Sequence, residues 1–95
     1  MIVSQLINKQ GKAVKNQFII TNGDVTTFQS YNSKIVEINR KEGTIAFHPN
    51  YNFSVTTSKY RNKFLSDILG VNIDTKTVDK MISDGMYNSF TVTLN

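Results

Sequence analysis

Two stretches in the first half of the chain read as hairpins, and from about Thr57 the apolar period lengthens to that of a helix. Phe18-Ile19-Ile20-Thr21 runs into Asn22-Gly23, and Val25-Thr26-Thr27-Phe28-Gln29-Ser30-Tyr31 comes next. Asn-Gly readily takes the positive φ of a tight turn, and both flanks are β-branched or aromatic, so two antiparallel strands are expected. A second hairpin is expected where Ile35, Val36 and Ile38 lead into Arg40-Lys41-Glu42-Gly43. Beyond that turn Ile45 and Phe47 alternate with Thr44, Ala46 and His48. Pro49 stops this strand, because proline has no amide hydrogen to give to a sheet.

Tyr60, Phe64 and Ile68 then recur every fourth residue, and Leu65 and Leu69 widen the same stripe. Thr57 is the expected N-cap of this helix and Gly70 its left-handed stop. Lys59, Asn62, Lys63 and Ser66 fall opposite the stripe. Arg61 instead projects near the apolar sector, where a cation must snorkel to water or find partners. A shorter helix is expected from Thr75 to Asp84, with Val78, Met81 and Ile82 on one face and Gly85 as its end. Phe90-Thr91-Val92-Thr93-Leu94 alternates strictly and reads as a half-buried strand. It must return to the sheet, beside an early strand, because unpaired backbone groups are costly. Two stretches are less informative. Val3, Leu6 and Ile7 suit either helix or strand, and residues 8–17, polar and broken by Gly11, read as a loop or irregular arm. The pattern as a whole predicts one α+β domain over residues 1–95. Its mostly antiparallel sheet has about five strands, and two helices pack on one face.

Composition narrows the setting. The chain has 95 residues, 39% of them hydrophobic, which suits a small globular core. Cysteine is absent, so disulfides and thiolate metal sites are excluded. No charged leader precedes a long apolar stretch, and no apolar run is long enough to cross a bilayer, so a cytoplasmic protein without a membrane partner is expected. The formal charge of +4 favours an acidic partner, either nucleic acid or an acidic protein surface. Many soluble domains carry such a charge for solubility alone.

Catalytic chemistry is hard to assemble from these residues. His48 is the only histidine and sits between Phe47 and Pro49, which suggests a strand-end residue at the edge of the sheet. Asp74, Asp79 and Asp84 are five residues apart, which spreads them around a helix. Asp24 beside Gly23 looks like turn chemistry. The glycines stand at separate turns and form no phosphate-cradling loop. No enzyme activity, metal or cofactor is therefore expected. The unusual segment is residues 51–65, where aromatics, hydroxyls and three cations crowd a strand-to-helix junction. It suits binding: a helix N-terminus with cations nearby receives phosphate, and exposed tyrosines stack on bases. It equally suits a core of Phe53, Tyr60 and Phe64 under a solvated lysine face. On the binding reading the candidate residues are Tyr51, Lys59, Arg61 and Lys63, helped by Lys9, Lys12 and Lys15.

The same segment carries a resemblance. The blocks are Ser4-Gln5-Leu6-Ile7-Asn8-Lys9, Asn16-Gln17-Phe18-Ile19-Ile20, Phe28-Gln29-Ser30-Tyr31 and Tyr51-Asn52-Phe53-Ser54. Thr56-Thr57-Ser58-Lys59-Tyr60-Arg61-Asn62-Lys63-Phe64-Leu65 and Ile82-Ser83-Asp84-Gly85-Met86-Tyr87 continue them, and Leu94-Asn95 closes the set. Together these cover most of the chain, which resembles small phage- and prophage-encoded proteins grouped as a domain of unknown function. Where that group favours a Trp before the aromatic at position 53, this chain has Asn52. It is also longer between Leu69 and the second helix. The resemblance implies a phage accessory protein in the cytoplasm of an infected bacterium. Proteins of that size and origin often block a host defence complex of the CRISPR or nuclease type, an analogy of context. The first expectation is thus a non-enzymatic inhibitor of a host protein or ribonucleoprotein complex. Direct binding of nucleic acid is the alternative, and a homo-oligomeric structural component, such as a homodimer, is the third.

Overall fold

The computed structural model describes residues 1–95. Its elements are β1 (Ile2–Ile7), β2 (Ala13–Asn22), β3 (Val25–Ser30), β4 (Ser33–Asn39), β5 (Thr44–Phe47), α1 (Val55–Leu69), α2 (Thr75–Asp84), β6 (Met86–Tyr87) and β7 (Phe90–Leu94). They form an α+β fold whose single sheet has seven strands in the order β1-β2-β3-β4-β5-β7-β6. Seven replaces the expected five or so. The additions are β1 and β6, while residues 13–17 lengthen β2.

The supposed arm at residues 8–17 resolves into a turn and the first half of β2. Asn8 Oδ1 accepts the amides of Gln10 and Lys12, each at 3.0 Å, and Gly11 takes φ 79°. A tight turn results, and Ala13 already pairs with Ile7. β2 has neighbours on both sides, so backbone hydrogen bonds hold its polar half in extended form where side-chain pattern gives little signal. The Asn22-Gly23 hairpin forms as expected, with Asn22 still paired to Val25 and Gly23 at φ 62° in the turn.

Register places the core. One row across the sheet runs Thr26, Ile38, Ile45 and Val92; the next runs Ile19, Phe28, Val36, Phe47 and Leu94. Residues two apart on a strand share a face, so these rows lie on one side of the sheet, apolar except for Thr26 and buried except toward Ile19 and Leu94. Phe64 of α1 stacks on Phe28 with ring centroids 5.7 Å apart, and Leu65, Val78 and Met81 fill the same cluster.

β7 returns to the sheet, but its neighbour is β5 and not an early strand, and the two run parallel from Thr44↔Thr91 to Phe47↔Leu94. The two helices separate β5 from β7 in sequence, and this connection leaves β7 pointing the same way as β5. His48 is corrected too: β5 lies inside the sheet, flanked by β4 and β7, so His48 is not at an edge.

Candidate functional site

Helix α1 starts three residues earlier than its periodicity suggests. Ser54, not Thr57, is the N-cap: its Oγ accepts the Thr57 amide at 3.0 Å. Thr57 is buried within the first turn, and its hydroxyl accepts from Ser54 Oγ at 3.1 Å. Gly70 ends the helix at φ 73° as expected, and Gly85 ends α2 at φ 69°. Asp74 caps α2, taking both the amide and the hydroxyl of Thr77 at 2.8 Å. Those two bonds hold its carboxyl below the ordinary range.

The candidate cations divide into three groups. Lys9, Lys59 and Lys63 meet around one groove of about 560 Å³, although the turn after β1 supplies the first and α1 the other two. Asp67 and Asp74 line the same groove, and the Lys63 ammonium is paired with Asp67, so its field is mixed and not uniformly positive. Lys59 Nζ lies 5.4 Å from the centre of the Tyr60 ring, a cation–π distance. Lys12 and Lys15 are exposed but lie outside the groove.

Arg61 stands apart and corrects its place on the cationic face. Its side chain is fully buried. Nη1 donates to the Tyr51 carbonyl at 2.6 Å, Nη2 and Nε donate to Asn62 Oδ1 at 2.8 and 3.1 Å, and Nη2 reaches Thr75 Oγ1 at 3.3 Å. Desolvation pulls its pKa down, against the opposing charge of Asp79. A guanidinium so enclosed joins the loop before α1 to α1 and to the first turn of α2. Burial leaves no part of it facing a partner in this conformation, and Tyr51 is half-buried over it, its ring centre 5.8 Å from the guanidinium carbon.

Two arrangements escaped the sequence reading. On the sheet face opposite the core rows, Glu37 accepts from Thr27 Oγ1 at 3.1 Å, and its other oxygen lies 2.8 Å from His48 Nε2. Partial burial raises the Glu37 pKa. The hydrogen bonds with His48 and Thr27 and the Lys34 charge together outweigh that and hold it below the ordinary value of 4.5. Only the β4–β5 register, Glu37↔Ala46, could have foretold that His48 two residues on would reach it. The second arrangement surrounds Gln17. This residue of β2 is 3% exposed, and its Oε1 is the one buried side-chain polar atom without a hydrogen-bond partner. It lines a cleft of about 360 Å³ beside Ser30, Asn50, Ser54 and Thr57, under the N-terminus of α1.

The sheet has two open ends, the two-residue β6 and the longer β1. The longer strand pairs with β2 alone, carries no charged residue, and leaves Ile2 and Val3 69% and 55% exposed. No helix is long and apolar enough to cross a membrane.

The fold and these surfaces define a small α+β protein with an open sheet edge and a partly basic groove. The chain belongs to a family of unknown function, DUF8033, whose sequence pattern it matches over residues 1–84. No curated protein and no solved structure matches it. The matched stretch ends with α2, so β6 and β7 lie beyond it.

Proposed function

We propose that this member of the family is a phage accessory protein that works without catalysis, binding and inhibiting a host defence complex in the bacterial cytoplasm. The observation that carries the binding reading is the open edge of β1. Edge strands are ordinarily blunted by lysine, proline or a covering loop, because their free amides and carbonyls recruit other strands. β1 has neither residue along Ile2–Ile7, and it adds exposed Ile2, Val3 and Ile7. Such an edge suits an extended segment of a partner protein, whose backbone would continue the ladder while its apolar side chains cover these three. The phage setting and the inhibitory role rest on the resemblance and on analogy.

The test is phage plaquing with and without this gene on hosts carrying defined defence systems, repeated with Val3→Lys. Plaquing rescued by the native gene against one system and lost with Val3→Lys is the expected result. Equal plaquing with and without the gene against every system would remove the inhibitory role. A pair of native-like rescues would remove the edge as the contact.

A second reading, direct nucleic-acid binding, is favoured by the meeting of Lys9, Lys59 and Lys63 at one groove. Phosphate contacts release counterions, so affinity should fall steeply from low to physiological salt. No mobility shift at low salt would eliminate it. A homodimer through β1 is the third reading, and a strict monomer on sizing chromatography at high concentration would set it aside.

A further inference from the structure

The cleft under Gln17 is built unlike the rest of the surface. Gln17 lines it beside the buried residues Ser30 and Thr57, and the side-chain Oε1 of Gln17 is buried with no hydrogen-bond partner. Native folds rarely leave such an atom without a partner, since desolvation is then uncompensated. At its mouth stand two large aromatics held out in water, Tyr31 at 63% and Phe53 at 77% exposure. Tyr31 is held there at a conformational cost. It sits at φ 53° and Asn16 at φ 64°, and the Tyr31 amide donates to the Asn16 carbonyl at 2.7 Å, one step beyond the Gln17↔Ser30 pair. A bulky side chain in the left-handed region is strained, and strain of this kind concentrates where ligands are gripped.

The cleft walls are amides, hydroxyls and aromatic rings, and no charged side chain lines them. A neutral occupant that offers a donor to Gln17 Oε1 and a flat face to Tyr31 or Phe53 suits such a lining. A nucleobase meets all three conditions. Amide side chains hydrogen-bond the pairing edge of an unstacked base while aromatic rings stack on its face. The volume of about 360 Å³ lies in the range of small-ligand sites, roughly 300–1,000 Å³.

The surface leading away from the cleft along α1 favours a base attached to a strand over a free neutral molecule such as a sugar. Ser54 is shared with a second cleft that includes Ser58 and Lys59. Lys59 and Asn62 are shared in turn with the groove of Lys9 and Lys63. One continuous track thus runs from the neutral cleft to the lysines, where phosphates would lie. We propose that the Gln17 cleft takes one unstacked base of a single-stranded nucleic acid whose backbone continues along α1 to Lys59, Lys63 and Lys9. This deepens the nucleic-acid reading of the lysine groove and is independent of the β1 edge.

The experiment is fluorescence polarisation of labelled single-stranded oligonucleotides of dT, dA or dC, and of a duplex, with the full chain. The variants are Phe53→Ala, Tyr31→Asn, Gln17→Met and Lys59→Ala. Phe53 is exposed, Asn tolerates left-handed backbone, and Met matches the volume of Gln, so these three should fold; thermal melts check it. Single strands should bind more tightly than duplex. Phe53→Ala and Tyr31→Asn should each weaken binding about tenfold, the scale of one stacked base. Gln17→Met should level the preference among bases while leaving the melting temperature unchanged or higher. If Lys59→Ala weakens binding and the cleft variants do not, the lysine groove stands and the base site falls. If no oligonucleotide binds at low salt, both fall. Binding of a labelled oligosaccharide that Phe53→Ala weakens, with oligonucleotide binding insensitive to Phe53→Ala, would overturn the base in favour of a sugar.

Discussion

The guanidinium of Arg61 donates to the backbone carbonyl of Tyr51 at 2.6 Å and lies 5.8 Å from the ring centre of the same residue. One tyrosine thus meets the cation twice, through its oxygen and through its ring. With Asn62 and Thr75 completing the shell, the charge is held by neutral dipoles and no carboxylate touches it. Removing it strands a part-buried carbonyl and empties a large volume. Arg61→Ala should cost about 3 kcal/mol, read as a lower urea midpoint at constant slope. Arg61→Lys should rescue little, because a single ammonium cannot fork between Tyr51, Asn62 and Thr75. An unchanged midpoint for Arg61→Ala would mean that the clamp contributes nothing to folding.

The cap on α1 can be tested without touching the core. Ser54→Ala removes the oxygen that receives the Thr57 amide and should destabilise the fold by about 1 kcal/mol. Thr57→Val addresses the rejected alternative. It leaves the Ser54–Thr57 amide bond in place and should cost less, despite the deeper burial of Thr57. Reversal of that order in paired denaturation curves would return the cap to Thr57.

Acid should act through Glu37. Its carboxyl titrates below 4.5 in the folded chain, so the unfolded chain takes up the proton first. The stabilisation is complete above that value and disappears as pH falls through the lower, folded one. Native stability should therefore decline below about pH 4.5, and Glu37→Gln should flatten that part of the profile. Melting temperatures measured across the acid range for both proteins provide the check. Identical slopes would exclude Glu37 as the source.

The stacked pair of Phe28 and Phe64 joins the middle of the sheet to α1. Both rings are fully buried, so Phe64→Ala should cost about 3–5 kcal/mol, enough to leave a chain of this size marginal. Phe64→Leu should keep the fold at a smaller loss. The near-ultraviolet signal of the four tyrosines gives the readout, since packing lost around α1 would release Tyr51 and Tyr60.

Elements written in local chemistry were legible. Both expected hairpins and α2, from Thr75 to its stop at Gly85, depend on residues adjacent in sequence; its Asp74 cap was not foreseen. The start of α1 was not, because Ser54 and Thr57 are both capping types and Val55 is exposed, adding nothing to the apolar stripe. Strand through residues 13–17 was hidden for another reason. Its hold comes from two neighbouring backbones, and its most buried residue is a glutamine. For the candidate site, residue type alone grouped the cations, and three of them do share a groove. It could not tell that Arg61 turns inward, although its position beside the apolar stripe posed the question. Gln17 and the Glu37–His48 contact required register, which no single segment encodes.

The parallel pairing of β5 with β7 has a consequence for the order in which the chain assembles. β1 through β5 each lie beside their neighbours in sequence, so each pairing closes over a short turn. β7 must wait until both helices have crossed back, and long loops are entropically slower to close. Yet β7 is not the rim of the sheet: β6 hangs outside it. The last strand to arrive is thus an interior one. Pulse-labelled hydrogen exchange should find the amides of β7 protected late and those of β3 and β4 early, as in a wall whose keystone course is laid after its corners.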